Sequence, residues 1–137
     1  MISYNFETAF LLNHRDQITF WINNVISKEG FDCGEINYIF CDDDYLLKLN
    51  IEFLDHDTLT DIISFDYTMG KLISGDIYIS IPRVKENADL FNTSFDNELH
   101  RVIIHGILHY CGYKDKSNEQ KLIMRRKEDE YLNALII

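Results

Sequence analysis

The sequence predicts an α+β domain with α/β-like order: two strand–helix units, a pair of neighbouring strands, then helices to the end. Three observations carry this. Four short runs rich in β-branched and aromatic residues, at 2–7, 35–41, 62–67 and 75–81, read as strands. Apolar residues recur at helical spacing between the first and second and between the second and third of these runs. Beyond the single proline, Pro82, the pattern is helical throughout.

Taken in order, the strand at 2–7 is followed by a helix over about 14–29, which places Ile18, Trp21, Ile22, Val25 and Ile26 on one face and stops at Gly30. EINYIFC, 35–41, returns to strand. Asp42 to Asp44 then supply N-cap candidates and first-turn negative charge for a helix carrying Leu46, Leu47, Leu49, Ile51 and Phe53, so this acidic cluster reads as capping and not as a metal site. IISFDY (62–67) and GDIYISI (75–81), separated by a segment containing Gly70, are expected to be adjacent strands. Pro82 marks the handover to a short helix at 83–91. Ser94 is the expected N-cap of the next helix, whose Val102, Ile103, Ile104, Ile107 and Leu108 cover most of its circumference and send it through the core. The last helix opens on a capping-box pattern, Ser117-x-x-Gln120, and runs to the carboxyl terminus with Leu122, Ile123, Leu132 and Leu135 available for packing.

A chain of 137 residues without repeat, linker or low-complexity tract fits a single domain over 1–137. No segment approaches the roughly 20 apolar residues of a membrane span, and MISYNFETAF lacks the plan of a signal peptide, so a cytoplasmic protein with no membrane partner is expected. Cys33, Cys41 and Cys111 are odd in number and unlike a zinc ribbon in spacing, and read as reduced, small apolar residues. A net charge of −10 and a pI near 4.8 argue against a free-standing nucleic-acid binder. Two basic patches, Arg83 with Lys85 and the run Arg125, Arg126, Lys127, read as solvated helix faces.

The chemistry concentrates in His105-x-x-x-His109-x-x-Gly112-x-x-Asp115. Positions i and i+4 of a helix lie about 40° apart around the axis and roughly 6 Å along it, so both imidazoles reach one cation. Gly112 is the expected helix stop that turns the chain back towards them. Two histidines and a carboxylate leave a coordination position open, the arrangement of catalytic zinc sites, so His105, His109 and Asp115 are the expected metal ligands. His100 lies about 220° away and is expected at the surface, while His14 and His56 have no local ligand partner. Glu98 and Arg101 share the histidines' face, but Glu98 is roughly 10 Å along the axis, which suits an ion-pair or supporting role. The spacing is similar to the zinc-peptidase pattern HExxHxxGxx[HD]. Gly106 stands where those enzymes carry the water-activating glutamate, which argues against peptidase action.

HGILHYCGYKD resembles the signature HGxLHxxGYDH of the YbeY family, bacterial metal-dependent endoribonucleases linked to ribosomal RNA maturation. His105, Gly106, Leu108, His109, Gly112 and Tyr113 match position by position, and Asp115 occupies the third histidine's place. Leu49-Asn50, Thr60-Asp61 with Ser64-Phe65, Gly75-Asp76-Ile77, Glu86-Asn87-Ala88, and Glu98 with Arg101 extend the likeness from about residue 38 onward. Leu54 stands where family members usually carry an arginine that serves the active site.

The resemblance implies a zincin-like metal-hydrolase fold, with a small, mostly parallel, twisted four-stranded sheet surrounded by helices. It implies a zinc-dependent endoribonuclease of rRNA maturation and ribosome biogenesis, with one Zn2+ per chain. Ni2+ or another divalent metal also suits His and carboxylate donors. Metal-bound water is the expected reactant. No side-chain base is assigned, and Asp61, Asp66 and Asp76 are read as capping or structural residues. The implied partner is ribosomal RNA or the ribosome, with a basic protein partner as one source of the missing positive charge. Two other readings stay open: a metal-dependent hydrolase of a different substrate, and a ribosome-associated assembly factor with a vestigial site.

Overall fold

Four strands form one twisted sheet in a computed structural model that describes residues 1–56 and 58–137. In chain order the elements are β1 (Ile2–Phe6), α1 (Arg15–Lys28), β2 (Asp32–Cys41), α2 (Asp43–Leu54), β3 (Ile62–Asp66), β4 (Leu72–Ser80), α3 (Ile81–Leu90), α4 (Phe95–Tyr110) and α5 (Asn118–Ala134). The sheet order is β1-β2-β4-β3, with β1 and β4 both parallel to β2 and β3 antiparallel to β4. Parallel neighbours need crossovers, which α1 and α2 provide, whereas β3 and β4 join as a hairpin. The expected α+β class and mostly parallel sheet are what the chain adopts.

β2 and β4 each start three residues earlier than the apolar pattern suggests. Asp32 pairs with Leu72 and Cys33 with Ile73, and the register then slips before Ile36 meets Gly75. Gly34 sits in that irregularity, where a Cβ would come within 2.6 Å of the Ile73 carbonyl oxygen. A bulge dominated by Asp32, Gly34 and Glu35 hides the strand from any reading of hydrophobic alternation.

One face of the sheet presents Ile36, Tyr38 and Phe40 of β2 with Ile73, Ile77 and Ile79 of β4, all fully buried beneath α1 and α4. The other face carries a smaller cluster, Cys41, Leu46 and Ile63, under α2. Ile51 and Phe53 are exposed, contrary to the expected apolar set of α2, because Asn50 completes its inner face and donates from Nδ2 to the Thr58 carbonyl at 2.8 Å. Leu122 and Ile123 are likewise exposed on α5, which packs instead through Met124, Glu128 and Tyr131, with Leu132 and Leu135 half-buried. His100 is half-buried edge-on to the Trp21 ring, so the surface position expected for it is wrong.

Two contacts set α4 on the sheet. The Tyr38 hydroxyl donates to the Ile103 carbonyl at 2.8 Å, and the Tyr110 hydroxyl lies 3.0 and 3.1 Å from the carbonyl oxygens of Phe65 and Asp76. Gly75 makes the second approach possible, since a Cβ there would collide with that hydroxyl and with the Phe65 carbonyl.

Glu29, at the end of α1, ties the helices together on the far side. It accepts from the Tyr113 hydroxyl at 2.7 Å, from Lys127 at 3.3 Å and from the Tyr131 hydroxyl. Burial opposes its ionisation, but these donors outweigh that and hold Glu29 below the ordinary glutamate range. A depressed folded-state pKa contributes stability that is complete above the unfolded value, about 4.3, and is lost as pH falls through the folded value. Glu29→Gln should therefore cost about 2 kcal/mol at pH 7, with the difference from the parent shrinking towards zero below the carboxylate range. Urea unfolding of both proteins across pH 7 to 3 measures it.

Candidate metal centre

α4 stops where its sequence says it should. Gly112 takes φ +99°, and the Tyr113 amide returns to the Leu108 carbonyl at 3.1 Å while the Gly112 amide reaches His109 at 3.0 Å, the paired bonds of a Schellman end. Five residues on, α5 opens with the full capping box: Ser117 accepts from the Gln120 amide at 3.1 Å, and Gln120 accepts from the Ser117 amide at 3.1 Å and the Lys116 amide at 3.1 Å. Asp115 hangs in the short connection between two fixed ends. It is thereby carried back over the histidines.

The three expected ligands do meet. His105 Nε2 lies 3.0 Å from His109 Nε2, His109 Nε2 lies 3.2 Å from Asp115 Oδ2, and His105 Nε2 lies 3.3 Å from the same oxygen. Zinc bonds of about 2.0–2.2 Å set about 120° or less apart give a donor triangle with edges of about 3.3 Å, the face of a coordination tetrahedron. The far side of each ring is engaged as well: His105 Nδ1 is 2.6 Å from Glu128 Oε2, and His109 Nδ1 is 3.0 Å from the Tyr113 carbonyl oxygen. A carbonyl oxygen only accepts, so His109 carries its proton on Nδ1, and the Glu128 carboxylate favours the same tautomer in His105. Three lone pairs then converge on one point. A divalent cation relieves that convergence, so the donor set fits a metal ion, and it is the one such group of three donors among the described residues.

Glu128 is the residue of this site that sequence reasoning missed. It is only 4 % exposed, and its second oxygen, Oε1, accepts from Arg101 Nη1 at 2.9 Å while Arg101 Nη2 reaches Asp129 at 2.7 Å. Arg101 thus pairs across to α5 and not with Glu98 on its own helix. The available signal was the stripe Met124, Glu128, Tyr131, spaced i, i+4, i+7, in which an acid stands on an otherwise apolar face. Burial works against a charged His105, but the hydrogen bond and charge of Glu128, with Asp115 and Asp61 behind them, raise its pKa above the ordinary histidine value.

The triad opens onto a cavity of about 450 Å³ whose wall includes Asp61, Phe91, Glu98, Arg101 and Arg125. Asp61 accepts from Asn87 at 3.4 Å, and burial raises its pKa. The side chain of Glu98, a residue 5 % exposed, makes no hydrogen bond or ion pair among the described residues, and burial beside the Asp61 carboxylate pushes its pKa up too. Asp66 and Asp76 stay structural: Asp66 accepts from the Thr68 amide at 2.9 Å, and Asp76 from Asn37 at 3.0 Å. Leu54 is exposed at the end of α2, outside this cavity. Gly106 faces the sheet, where a Cβ would sit 3.0 Å from Ile77 Cδ1 and 3.3 Å from Ile62 Cδ1, so no side chain at that position could serve the triad. Burial pushes the Cys111 thiol up to about 12, and it packs against the core. The acidic Asp42–Asp44 cluster caps as expected, Asp42 accepting from the Tyr45 amide at 2.9 Å.

The oxygen–nitrogen contact at 2.6 Å makes Glu128 the residue that orients His105. Glu128→Gln should weaken the binding of a divalent metal ion by about 10–100-fold, since partners behind a ligating histidine carry effects of that size. Asp129→Asn, at the exposed arm of Arg101, should leave it nearly unchanged. Competition against a colorimetric chelator reads both.

Comparison with known proteins agrees with this geometry. A family model described as Endoribonuclease YbeY matches residues 4–136. The chain is 61 % identical over 130 residues to a Flavobacterium johnsoniae protein named Endoribonuclease YbeY, covering 95 % of this chain and 94 % of that one. Its Cytophaga hutchinsonii namesake is 51 % identical over 128 residues, covering 93 % and 90 %. The solution structure of TM1509 from Thermotoga maritima superposes with a TM-score of 0.71 at 29 % identity, covering 98 % of this chain and 89 % of that one. With a match that runs nearly from end to end, the chain belongs to the YbeY family.

Proposed function

We propose that this protein is a zinc-dependent endoribonuclease that acts in ribosomal RNA maturation and ribosome biogenesis, with His105, His109 and Asp115 as the ligands of one metal ion per chain. The observation that carries this reading is the triangle of donor atoms, 3.0 to 3.3 Å on its edges, at the wall of a cavity that also presents two arginines. The names borne by the relatives support RNA as the substrate.

When bound, the metal would supply Lewis-acid polarisation of a phosphoryl oxygen and a lowered acidity constant for a coordinated water. The chain's own residues supply the rest. Two neutral imidazoles and one carboxylate neutralise half of a divalent charge, which leaves the centre attractive to an anionic phosphodiester. Glu128 and the Tyr113 carbonyl hold the two imidazole planes so that both Nε2 lone pairs stay aimed inward. Arg101 spends its charge on Glu128 and Asp129, and by holding the Glu128 carboxylate in place it keeps the His105 ring oriented before substrate arrives. Peptidase action is disfavoured by the sheet-facing Gly106.

The first test is metal content per chain by elemental mass spectrometry on untagged protein, with Asp115→Ala in parallel, followed by cleavage of structured ribosomal RNA with and without chelator. Near-stoichiometric zinc and chelator-sensitive cleavage are expected in the parent, with Asp115→Ala losing most of its metal and about 100-fold or more of its rate. Cleavage that survives Asp115→Ala at the parental rate, or a folded parent that takes up no metal, would sink the proposal. Ribosome association indifferent to chelation, without turnover, would instead point to an assembly factor.

A further inference from the structure

Among the described residues two charged side chains belong to buried residues, Glu98 and Glu128, and they are served very differently. Glu128 has a partner for each oxygen, Arg101 at 2.9 Å and His105 at 2.6 Å. Glu98, in the first turn of α4, lines the metal cavity with 5 % of its surface exposed, and its side chain has neither hydrogen bond nor ion pair among the described residues. The two arginines on the same wall are drawn elsewhere. Arg101 goes to Glu128 and to Asp129 at 2.7 Å, and Arg125 turns loosely to Glu128 at 3.9 Å.

Asp61 lines the same cavity from the segment that leads into β3, and it is little better served, accepting one long bond from Asn87 at 3.4 Å. Burial raises the pKa of both carboxyls, and the charge of Asp61 adds to the rise in Glu98. Two carboxylates on one cavity wall without strong donors need a proton or a cation to offset them. The surroundings suit a cation. The space, about 450 Å³, has room for an ion with part of its water shell, and Thr60 and Ser64 add hydroxyl oxygens to the wall. These donors are all oxygens, whereas the triangle of His105, His109 and Asp115 offers two nitrogens and one oxygen. Magnesium and manganese(II) prefer oxygen, are held through one or two carboxylates, keep several waters, and take phosphate oxygens at what remains. Glu98 stands seven residues before His105, roughly 10 Å along the helix, so an ion on Glu98 and Asp61 is separate from one on the triangle.

We propose that Asp61 and Glu98 form a second cation site, for a hydrated divalent ion of the magnesium or manganese class, in the same cavity as the His105–His109–Asp115 triangle but apart from it. The ion offsets two negative charges that would repel a phosphodiester, and its water positions are open to exchange for a phosphate oxygen. Only this role toward substrate rests on the ribonuclease reading; the site itself follows from the two carboxylates.

The test is titration of the protein, first loaded with zinc, by Mn2+, with the free ion read by electron paramagnetic resonance. One Mn2+ per chain should bind, be displaced by excess Mg2+, and leave the zinc content unchanged. Glu98→Gln and Asp61→Asn should each weaken it about tenfold or more, because affinity for such ions follows the charge count of the ligands. Asp44→Asn removes equal charge from α2, on the other face of the sheet, and should change nothing. Folding is checked by melting in EDTA at pH 8, where Glu98→Gln should melt above the parent, since a carboxyl whose folded pKa is raised destabilises the fold once ionised. Added Mg2+ should then raise the melting temperature of the zinc-loaded parent and not that of zinc-loaded Glu98→Gln. No Mn2+ bound, equal binding by parent and both cavity variants, or Mn2+ that enters only as zinc leaves would overturn the site and assign the pair a shared proton instead. If RNA is cleaved but no Mn2+ binds, the second site alone fails; if Mn2+ binds as expected but RNA is neither bound nor cleaved, the ribonuclease reading fails and the cation site stands.

Discussion

The carboxylate of Glu128 is the constraint on which the rest of the site depends. A charge this deeply buried is costly unless every lone pair has a partner, and here Oε1 meets Arg101 at 2.9 Å and Oε2 meets His105 at 2.6 Å. Arg101 and His105 are four residues apart on α4, so one side chain of α5 grips one full turn of the neighbouring helix. That grip decides where α5 begins relative to α4. With the Schellman end at Gly112 and the capping box at Ser117 holding the two sides of the connection, the position of Asp115 follows from helix packing and not from any contact of its own backbone. The triangle of donor atoms is therefore a consequence of how two helices pack. Loss of Glu128 would leave a buried guanidinium and a freely turning imidazole at once.

The opposite side of α4 is equally constrained. Gly106 and Gly75 let the helix lie close enough to the sheet for Tyr110 to reach the carbonyl oxygens of Phe65 and Asp76, and the same closeness leaves no room for a side chain at position 106. A helix with one face pressed on a sheet and another lining a cavity can spare only one stripe for chemistry, and Arg101, His105 and His109 occupy it. Further polar groups that act on a substrate must come from elsewhere. The cavity wall supplies such groups from the approach to β3 at Asp61 and the face of α5 at Arg125.

Local signals in the sequence read well, and long-range ones did not. Ser94, Ser117 with Gln120, Gly30 and Gly112 each act through bonds to residues within about one turn, so the helix ends and the meeting of His105, His109 and Asp115 were legible from spacing alone. The strand order β1-β2-β4-β3 depends on which strands pair across intervening helices, and no local pattern records it. The early start of β2 was hidden by Asp32, Gly34 and Glu35 at a bulge. Ile51, Phe53, Leu122 and Ile123 were assigned to packing because they are apolar, whereas Asn50 and Glu128 hold the inner positions: a polar residue with a partner can take a core place that hydrophobicity alone would not give it. Glu128 lies 23 residues from His105, and only folding joins them.

Charge shows the same division between whole and part. A net charge of −10 predicts repulsion of a polyanion, and at distances well beyond the Debye length of about 8 Å it is screened at physiological salt. Closer in, what a phosphate meets is the local set of charges. Arg83 is neutralised by Asp43 at 3.0 Å and Lys127 by Glu29 at 3.3 Å, so part of each basic patch read from the sequence is spent on holding helices together. In the stretch 114–127 the unpaired cations lie beside the three donors, and Arg125 lines the cavity itself. An acidic body with a basic edge disfavours indiscriminate adhesion to nucleic acid along its surface while leaving one route of approach open, which is a sensible division for a nuclease working among long RNAs. Specificity of this kind does not require a basic protein, only that a local set of unpaired cations lies where the chemistry is.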